Sequence, residues 1–332
     1  MNDKLRVGVI GVGTFGSLHA QVYSEAEGCE LVAIADVNEG RLVQVCDGMG
    51  VEGCADYHEL LERDDIDAVS ICTTDELHVE PALAAAAAGK HMLIEKPLAL
   101  TPAECDTIVG AAGEAGVKLM VGHILRFDPR YYTAHERIVQ GQIGELIHLY
   151  ARRNNAYASA RRLAAHTSVL FFLGIHDIDF VNWCVGAVPQ RVVAQAVHKV
   201  LADTPDTVLA LLQFADGSIA SLEVSWVLPE SHPRGLDARF DAVGTAGALY
   251  VDGSGGSVLV AHERVEQPAL WYVPELFGER AGILRDEIMH FVRCVRDDRQ
   301  PVVGGQEGKA AVQVACAIQE SYQAGRPVEI EP

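Results

Sequence analysis

Apolar residues change their spacing near residue 122, and that change divides the chain. Before it, short apolar runs at 5–10, 31–35, 68–71, 91–94 and 118–121 are bounded by glycine, aspartate or proline and predict buried strands. Between them, 17–25, 78–88 and the stretch after Thr101-Pro102-Ala103-Glu104 have helical spacing, the last opened by a capping-box pattern and an early proline. Regular alternation with short loops predicts a parallel, doubly wound sheet with right-handed crossovers. Beyond residue 122 a helix is expected at 129–140, then strands at 145–150, 192–197, 207–214, 219–227, 239–244, 248–251 and 258–260, with Asp216-Gly217 as a hairpin signal. The imperfect alternation there predicts a mainly antiparallel sheet with one face covered. Helices are expected again at 282–295 and 308–321, the second stopped by Ala324-Gly325. The expected fold class is α/β: a doubly wound parallel sheet domain over 1–122, an α+β domain over 123–300, and a closing helix and strand over 301–332.

Composition narrows the function. With 49% apolar residues the 332-residue chain can bury two cores. Its formal net charge of −20 argues against nucleic acid and anionic membrane surfaces as partners and favours a small-molecule ligand. The eight cysteines form no CxxC pair, so no metal site is expected and a reducing, cytoplasmic setting is the simpler expectation. The first residues lead straight into a strand, which leaves no room for a signal peptide, and no apolar run reaches membrane-spanning length.

The first chemical motif is Gly11-Val12-Gly13-Thr14-Phe15-Gly16, which follows a strand and opens a helix. In that setting Gly11, Gly13, Thr14, Phe15 and Gly16 form a turn that brings backbone close to a pyrophosphate at a helix amino terminus, the signature of a Rossmann dinucleotide site. Asp36, at the end of the second strand and twenty residues after Gly16, is placed to bond the adenosine ribose. Its charge favours NAD, with NADP possible because Arg41 is near; the plainer reading of Arg41 is a solvated charge on the next helix. Thr73 and His78, after the 68–71 strand, are candidates for the ribose or nicotinamide end, His78 equally for a helix cap. Glu95-Lys96-Pro97 ends the 91–94 strand, so Lys96 sits at a carboxyl strand end with its backbone biased by proline, and a cis bond would fix its aim further.

In the second half, Arg152, Arg153, Arg161 and Arg162 place four arginines within eleven residues of an acidic chain, with Asn155 and His166 beside them. They are either a clamp for an anionic substrate group or structural ion pairs in a loop. His176 and Asp179, three apart on a helix-like run, share a face with Phe172, while Asp177 points elsewhere. A histidine oriented by a carboxylate is a fit general acid/base, although a histidine in an apolar helix is more often a core residue.

Taken with Gly122, Arg126-Phe127-Asp128-Pro129, Gly174-Ile175-His176-Asp177-Ile178-Asp179 and the closing Gln319-Glu320-Ser321 and Gly325-Arg326-Pro327-Val328, these motifs make the chain resemble the Gfo/Idh/MocA oxidoreductases over nearly its whole length. The resemblance implies a Rossmann domain, an open-faced β-sheet domain, and a last helix that returns to the first domain. It implies homodimers or homotetramers, and NAD(P)-dependent interconversion of a secondary hydroxyl and a ketone on a sugar, a sugar derivative or a cyclitol. It assigns Lys96 to the substrate oxygen and nicotinamide ribose, His176 to acid/base catalysis and Asp179 to its support, and it brings Glu95 and Arg126 into the cofactor set. Arg153, Asn155, Arg161, His166, Lys96 and His176 form the expected substrate set, and the arginines tilt it towards a phosphorylated or nucleotide-linked sugar. Inositol-dehydrogenase-like members carry an aspartate where Phe172 stands; their Asp-His dyad cannot form here, which counts against inositol-type activity and shifts proton transfer towards Lys96. Rival expectations are an NAD-dependent glycoside-cleaving enzyme with transient C3 oxidation, and a catalytically weak NAD-binding sensor.

Overall fold

The computed structural model describes residues 4–233, 235–254, 258, 260–261, 265–268 and 270–331. They form two compact units, 1–123 with 272–309 and 124–271 with 310–332. In chain order the elements are β1 (Leu5–Ile10), α1 (Thr14–Glu25), β2 (Cys29–Ala35), α2 (Glu39–Met49), β3 (Glu52–Cys54), α3 (Tyr57–Leu61), β4 (Ala68–Ile71), α4 (Val79–Ala87), β5 (His91–Glu95), α5 (Pro102–Ala115) and β6 (Leu119–Gly122). Then come α6 (Pro129–Val139), β7 (Leu146–Ala156), α7 (Tyr157–Leu163), α8 (Ile175–Val185), β8 (Arg191–Val197), β9 (Thr207–Gln213), β10 (Ile219–Leu228), β11 (Leu236–Gly244) and β12 (Gly247–Asp252). Two short hairpins, β13 (Val260–Ala261) with β14 (Val265–Glu266) and β15 (Glu275–Leu276) with β16 (Glu279–Arg280), precede α9 (Ile283–Arg296), α10 (Gly305–Ala324) and β17 (Val328–Glu329).

The first unit holds a six-stranded parallel sheet in the order β3-β2-β1-β4-β5-β6. Its strands are the buried apolar runs read from the sequence: Val7, Val9, Ala33, Ile34, Val69, Ile71, Leu93, Ile94 and Val121 are all fully buried, as strands covered on both faces require. Their carboxyl ends align, with Ile10 opposite both Ala35 and Ile71, Ile71 opposite Ile94, and Glu95 opposite Gly122. Strand order reverses between β1 and β4, so the glycine turn after β1 lies at the topological switch point. β3 is the edge strand that the sequence did not reveal, because Glu52-Gly53-Cys54 carries no apolar signal.

The second unit holds a seven-stranded sheet, β12-β11-β7-β10-β9-β8-β17, antiparallel except for the β7/β10 pair. Its inner face buries Leu149, Ala151, Ala210, Leu222, Val224, Trp226, Phe240 and Ala242. Phe180 of α8 lies edge-on to both Tyr131 of α6 and Phe240, with centroids 4.9 and 4.7 Å apart. The outer face aligns Tyr250, Asp241, Tyr150, Ser221, Leu211 and Val193 in one cross-strand row. On that face Leu209 and Leu211 are 53% and 58% exposed.

Three expectations on organisation change. β7 runs through Arg152, Arg153, Asn154 and Asn155 instead of ending at Tyr150, because β10 and β11 pair with it along that length. Residues 272–300, expected in the α+β domain, group with the first unit, where α9 lays an apolar stripe of Ile283, Leu284, Ile288, Phe291 and Val292. α10 is divided: Gly305 and Gly308 let its first turns lie close against Val109, Leu119, Val121 and Leu98, whereas residues from 310 onward group with the second unit. The expected 258–260 strand includes Leu259, which lies outside the described residues; Val260 belongs to β13.

Candidate active site

The glycine turn is built from three different constraints. Gly11 has φ +83°, and a Cβ there would come within 2.9 Å of the Cys72 backbone. A Cβ on Gly16 would strike the Gly11 carbonyl, so α1 lies directly on the turn. Nothing lies within 4 Å of a Cβ position on Gly13, which leaves room for a ligand atom against the backbone. No side chain caps α1, so Thr14, Phe15 and Gly16 offer N–H groups and the helix dipole to an anion.

Asp36 is buried, and its carboxylate accepts from Val12 N–H and Asn38 N–H, each at 2.8 Å. It therefore ties the turn to the end of β2. Arg41, expected as a solvated charge, lies with Nη1 3.1 Å from Asp36 Oδ2. An ionised carboxylate offers about four acceptor positions, so capacity remains for a ribose hydroxyl. An anion-ready helix terminus, an open glycine and a buried acid fit a dinucleotide with an unphosphorylated ribose.

Lys96 is buried at 8% exposure, one residue past the end of β5, and its bond to Pro97 is cis. His78, expected as a cofactor or cap residue, has its ring buried with Nδ1 2.7 Å from the Pro97 carbonyl and Nε2 3.3 Å from the Thr73 carbonyl. It makes no helix-cap bond. These contacts join the Lys96 turn to the loop after β4 in place of the expected helix cap. The Thr73 hydroxyl donates to the Leu77 carbonyl at 3.2 Å. Glu95, expected to touch the cofactor, instead turns inward: its carboxylate lies 3.1 Å from His19 Nε2, whose Nδ1 lies 3.2 Å from Ser70 Oγ, in turn 2.8 Å from the Tyr23 hydroxyl. Burial acts to raise the Glu95 carboxyl; the His19 hydrogen bond and the Lys96 charge outweigh it and hold the group below its ordinary value.

In the second unit, a π-helical turn, Leu170–Gly174, runs directly into α8. Gly174 lets that turn close on Val224 of β10. Such widened turns recur at functional positions, and here one delivers His176. His176 and Phe172 are only partly buried in a stretch whose other members, from Leu173 to Asn182, are buried. Phe172 lies 6.4 Å from Trp226, centroid to centroid.

Asp179, expected to support His176, accepts two hydrogen bonds from Arg126, from Nε at 2.9 Å and Nη2 at 2.6 Å. Both side chains are almost fully buried, and the guanidinium lies 4.9 Å over the Trp183 ring. Two of the three guanidinium nitrogens of Arg126, expected among the cofactor contacts, are thus engaged by a carboxylate of its own unit. Asp177 does not point to solvent: it accepts from Arg153 Nε at 2.7 Å and Nη2 at 3.0 Å, and Arg153 also donates to Tyr131 Oη at 3.3 Å. Burial acts to lower the Arg153 guanidinium, but the Asp177 charge outweighs it and keeps the arginine protonated. Arg152 pairs with Asp237 at 2.9 Å, and Arg161 pairs with Glu230 at the surface. Three of the four arginines, Arg152, Arg153 and Arg161, are thus engaged by carboxylates. Asn155 donates to Ser159 Oγ at 3.4 Å, and His166 is exposed.

Sequence reasoning missed His19, Ser70, Tyr23 and Tyr131, which are single polar groups inside apolar patterns and carry no local signal. Glu287 had one, as an acid on the apolar stripe of α9. Among the described residues, no cluster of metal-ligating side chains occurs and no helix is long and apolar enough to cross a membrane.

Comparison with known proteins agrees with this geometry. The profile of the GFO/IDH/MocA oxidoreductase family, with its NAD-binding Rossmann fold, matches residues 5–123, and that of the GFO/IDH/MocA C-terminal domain matches 131–250. The chain is 28% identical over 336 residues to myo-inositol 2-dehydrogenase of Thermotoga maritima, covering 98% of this chain and 99% of that protein. It is 28% identical over 345 residues to the NAD(+)-dependent scyllo-inositol 2-dehydrogenase of Bacillus subtilis, covering 100% and 98%. The solved myo-inositol 2-dehydrogenase of Lactobacillus plantarum superposes with a TM-score of 0.87 at 25% identity, covering 99% of this chain and 100% of that one.

Proposed function

Since the chain belongs to the Gfo/Idh/MocA oxidoreductase family and is an NAD-dependent dehydrogenase of CH–OH groups, we propose that it oxidises a secondary hydroxyl on a neutral sugar or cyclitol ring to a ketone. Bound NAD supplies the hydride acceptor. As the C–H hydride leaves the carbinol carbon, His176 takes the hydroxyl proton and the Lys96 ammonium holds the developing oxyanion by charge and hydrogen bond. The observation that carries the reading is Lys96, fixed by His78 and the proline turn at the same carboxyl sheet edge as the glycine turn and Asp36.

The pairing of the arginines supports a neutral substrate. Arg152, Arg153 and Arg161 each face a carboxylate, Asp237, Asp177 and Glu230, which weighs against a phosphate clamp built on them. Two similar proteins are named for inositols, which supports a neutral polyol ring. The half-buried Phe172 beside Trp226 adds an apolar surface near His176 in the chain, suited to a ring edge of C–H groups. The exposed Val193, Leu209, Leu211 and Ile219 on the outer sheet face support a homo-oligomer joined through that face. The eight free cysteines support a reducing, cytoplasmic setting.

The test is reduced-nicotinamide absorbance over a panel of inositols, deoxyinositols, aldoses and their phosphates, with NAD and NADP. Turnover is expected on a neutral ring with NAD. A phosphorylated sugar with a higher kcat/KM than its neutral parent would overturn the substrate assignment.

A further inference from the structure

Behind the Lys96 turn lies a second acid that the dehydrogenase mechanism does not use. Glu287 of α9 has no exposed surface, and neither carboxyl oxygen has a hydrogen-bonding partner among the described residues. The titratable groups whose charge bears on it are Glu95 from β5, Tyr23 from α1, Cys72 from the loop after β4, and Tyr272. None of them is a cation. A carboxylate in such surroundings has neither solvent nor countercharge, and its desolvation costs more than any nearby contact returns.

Glu95 is in the opposite position. It has the His19 ring at 3.1 Å and the charge of Lys96 acting on it. One donor order satisfies the whole chain of groups: Tyr23 O–H to Ser70, Ser70 O–H to His19 Nδ1, and His19 Nε2–H to the Glu95 carboxylate. That order uses a neutral histidine and an ionised Glu95, and it leaves the second acid to remain neutral. Gly122 packs against the same carboxylate, where a Cβ would lie 3.2 Å from Glu95 Oε1, so Glu95 has little room to turn away.

We propose that Glu95 and Glu287, brought together where α9 packs on β5, form a buried carboxyl pair holding one proton, that the proton resides on Glu287, and that Glu95 alone is ionised. Burial first, and the Glu95 charge second, push the Glu287 carboxyl well above its ordinary value, in agreement with this assignment. The location of the proton does not depend on the proposed dehydrogenase reaction.

The experiment therefore begins on the protein alone. Infrared spectra of protein with carboxyl-¹³C glutamate at neutral pH should show the carbonyl stretch of an un-ionised acid, absent in Glu287→Gln and retained in Glu95→Gln. Loss of the band in Glu95→Gln with retention in Glu287→Gln, or no band in the wild type, overturns the assignment. Thermal melts give an independent reading. An acid whose folded value is raised destabilises the fold progressively as pH rises above its unfolded value, because only the unfolded chain releases the proton. Glu287→Gln should match the wild type near pH 4 and exceed its Tm by a margin that grows up to pH 8. A Glu287→Gln variant whose Tm falls increasingly below the wild type as pH rises from 4 to 8 would show that Glu287 is charged and stabilising, which refutes the proposal.

Discussion

Replacing Asp179 by asparagine separates the two roles open to it. The carboxylate and Arg126 are joined by two hydrogen bonds with side-chain exposures of 1% and 5%. Asparagine keeps the shape and one acceptor but removes the charge, leaving a guanidinium buried without a counterion. Breaking a buried pair from one side costs about 3–5 kcal/mol, and the retained amide acceptor places Asp179→Asn near the lower bound. At roughly 2–4 °C per kcal/mol for a unit of this size, the melting transition should fall by about 6–12 °C. Differential scanning calorimetry without cofactor or substrate reads this directly. The companion is Arg126→Met with Asp179→Leu, which removes both charges and fills the space with apolar atoms. It should recover most of the loss, because a buried pair exchanged for apolar side chains is often near neutral. If Asp179→Asn melts within 2 °C of the wild type yet lowers kcat by about 100-fold, on the scale of a lost acid/base contribution, the residue supports His176 chemically and the structural reading is wrong.

His176→Ala should lower kcat by about 10²–10⁴-fold, the range for a lost general base, and Lys96→Met should abolish turnover in the same assay; a few-fold effect at His176 would move the proton to Lys96. Asp36→Ala should weaken NAD binding about 10–100-fold, as loss of hydrogen bonds to a charged group implies, and narrow the preference over NADP, measured by titration calorimetry with each cofactor. Unchanged NAD affinity would rule out the ribose contact. Leu209→Glu with Leu211→Glu should lower the molar mass seen by light scattering from an oligomer to a monomer; a wild type already monomeric at micromolar concentration removes the proposed sheet-face contact.

The parallel sheet was legible because each of its strands except β3 is a short apolar run set between polar or turn-forming residues. The glycine turn and Asp36 were legible for a related reason, since their chemistry lies within one β-turn-α-β stretch. Side-chain partnerships across the fold were not. Arg126 and Asp179 are 53 residues apart and Arg153 and Asp177 are 24 apart, and no local pattern says which acid an arginine will choose. Helical spacing correctly put Asp179 and His176 on one helix, but it could not show that Arg126 competes for the carboxylate. It also assumed unbroken α-helix back to Phe172, where the π turn intervenes. The arginine cluster misled because one half lies in a strand: along β7, Arg152 and Arg153 point to opposite faces, and charges adjacent in sequence are held apart.

The division of the first unit between residues 1–123 and 272–309 has a consequence for synthesis. When β6 leaves the ribosome, the six strands of the sheet are complete, but α9, whose apolar stripe faces the unit's interior, has yet to be made. The 148 residues from 124 to 271 must be translated first, a delay of about 7–30 s at roughly 5–20 residues per second. During that interval the nascent sheet has no permanent cover where α9 will pack, and Glu95 has water where Glu287 will later stand. Ionic selection at this cluster is thus made late: the proton on Glu287 is captured when α9 docks, after the nucleotide turn has been assembled. A fragment ending at residue 123 would carry the cofactor motif without that cover, so expression of the unit alone calls for residues 272–309 to be supplied in trans or by circular permutation.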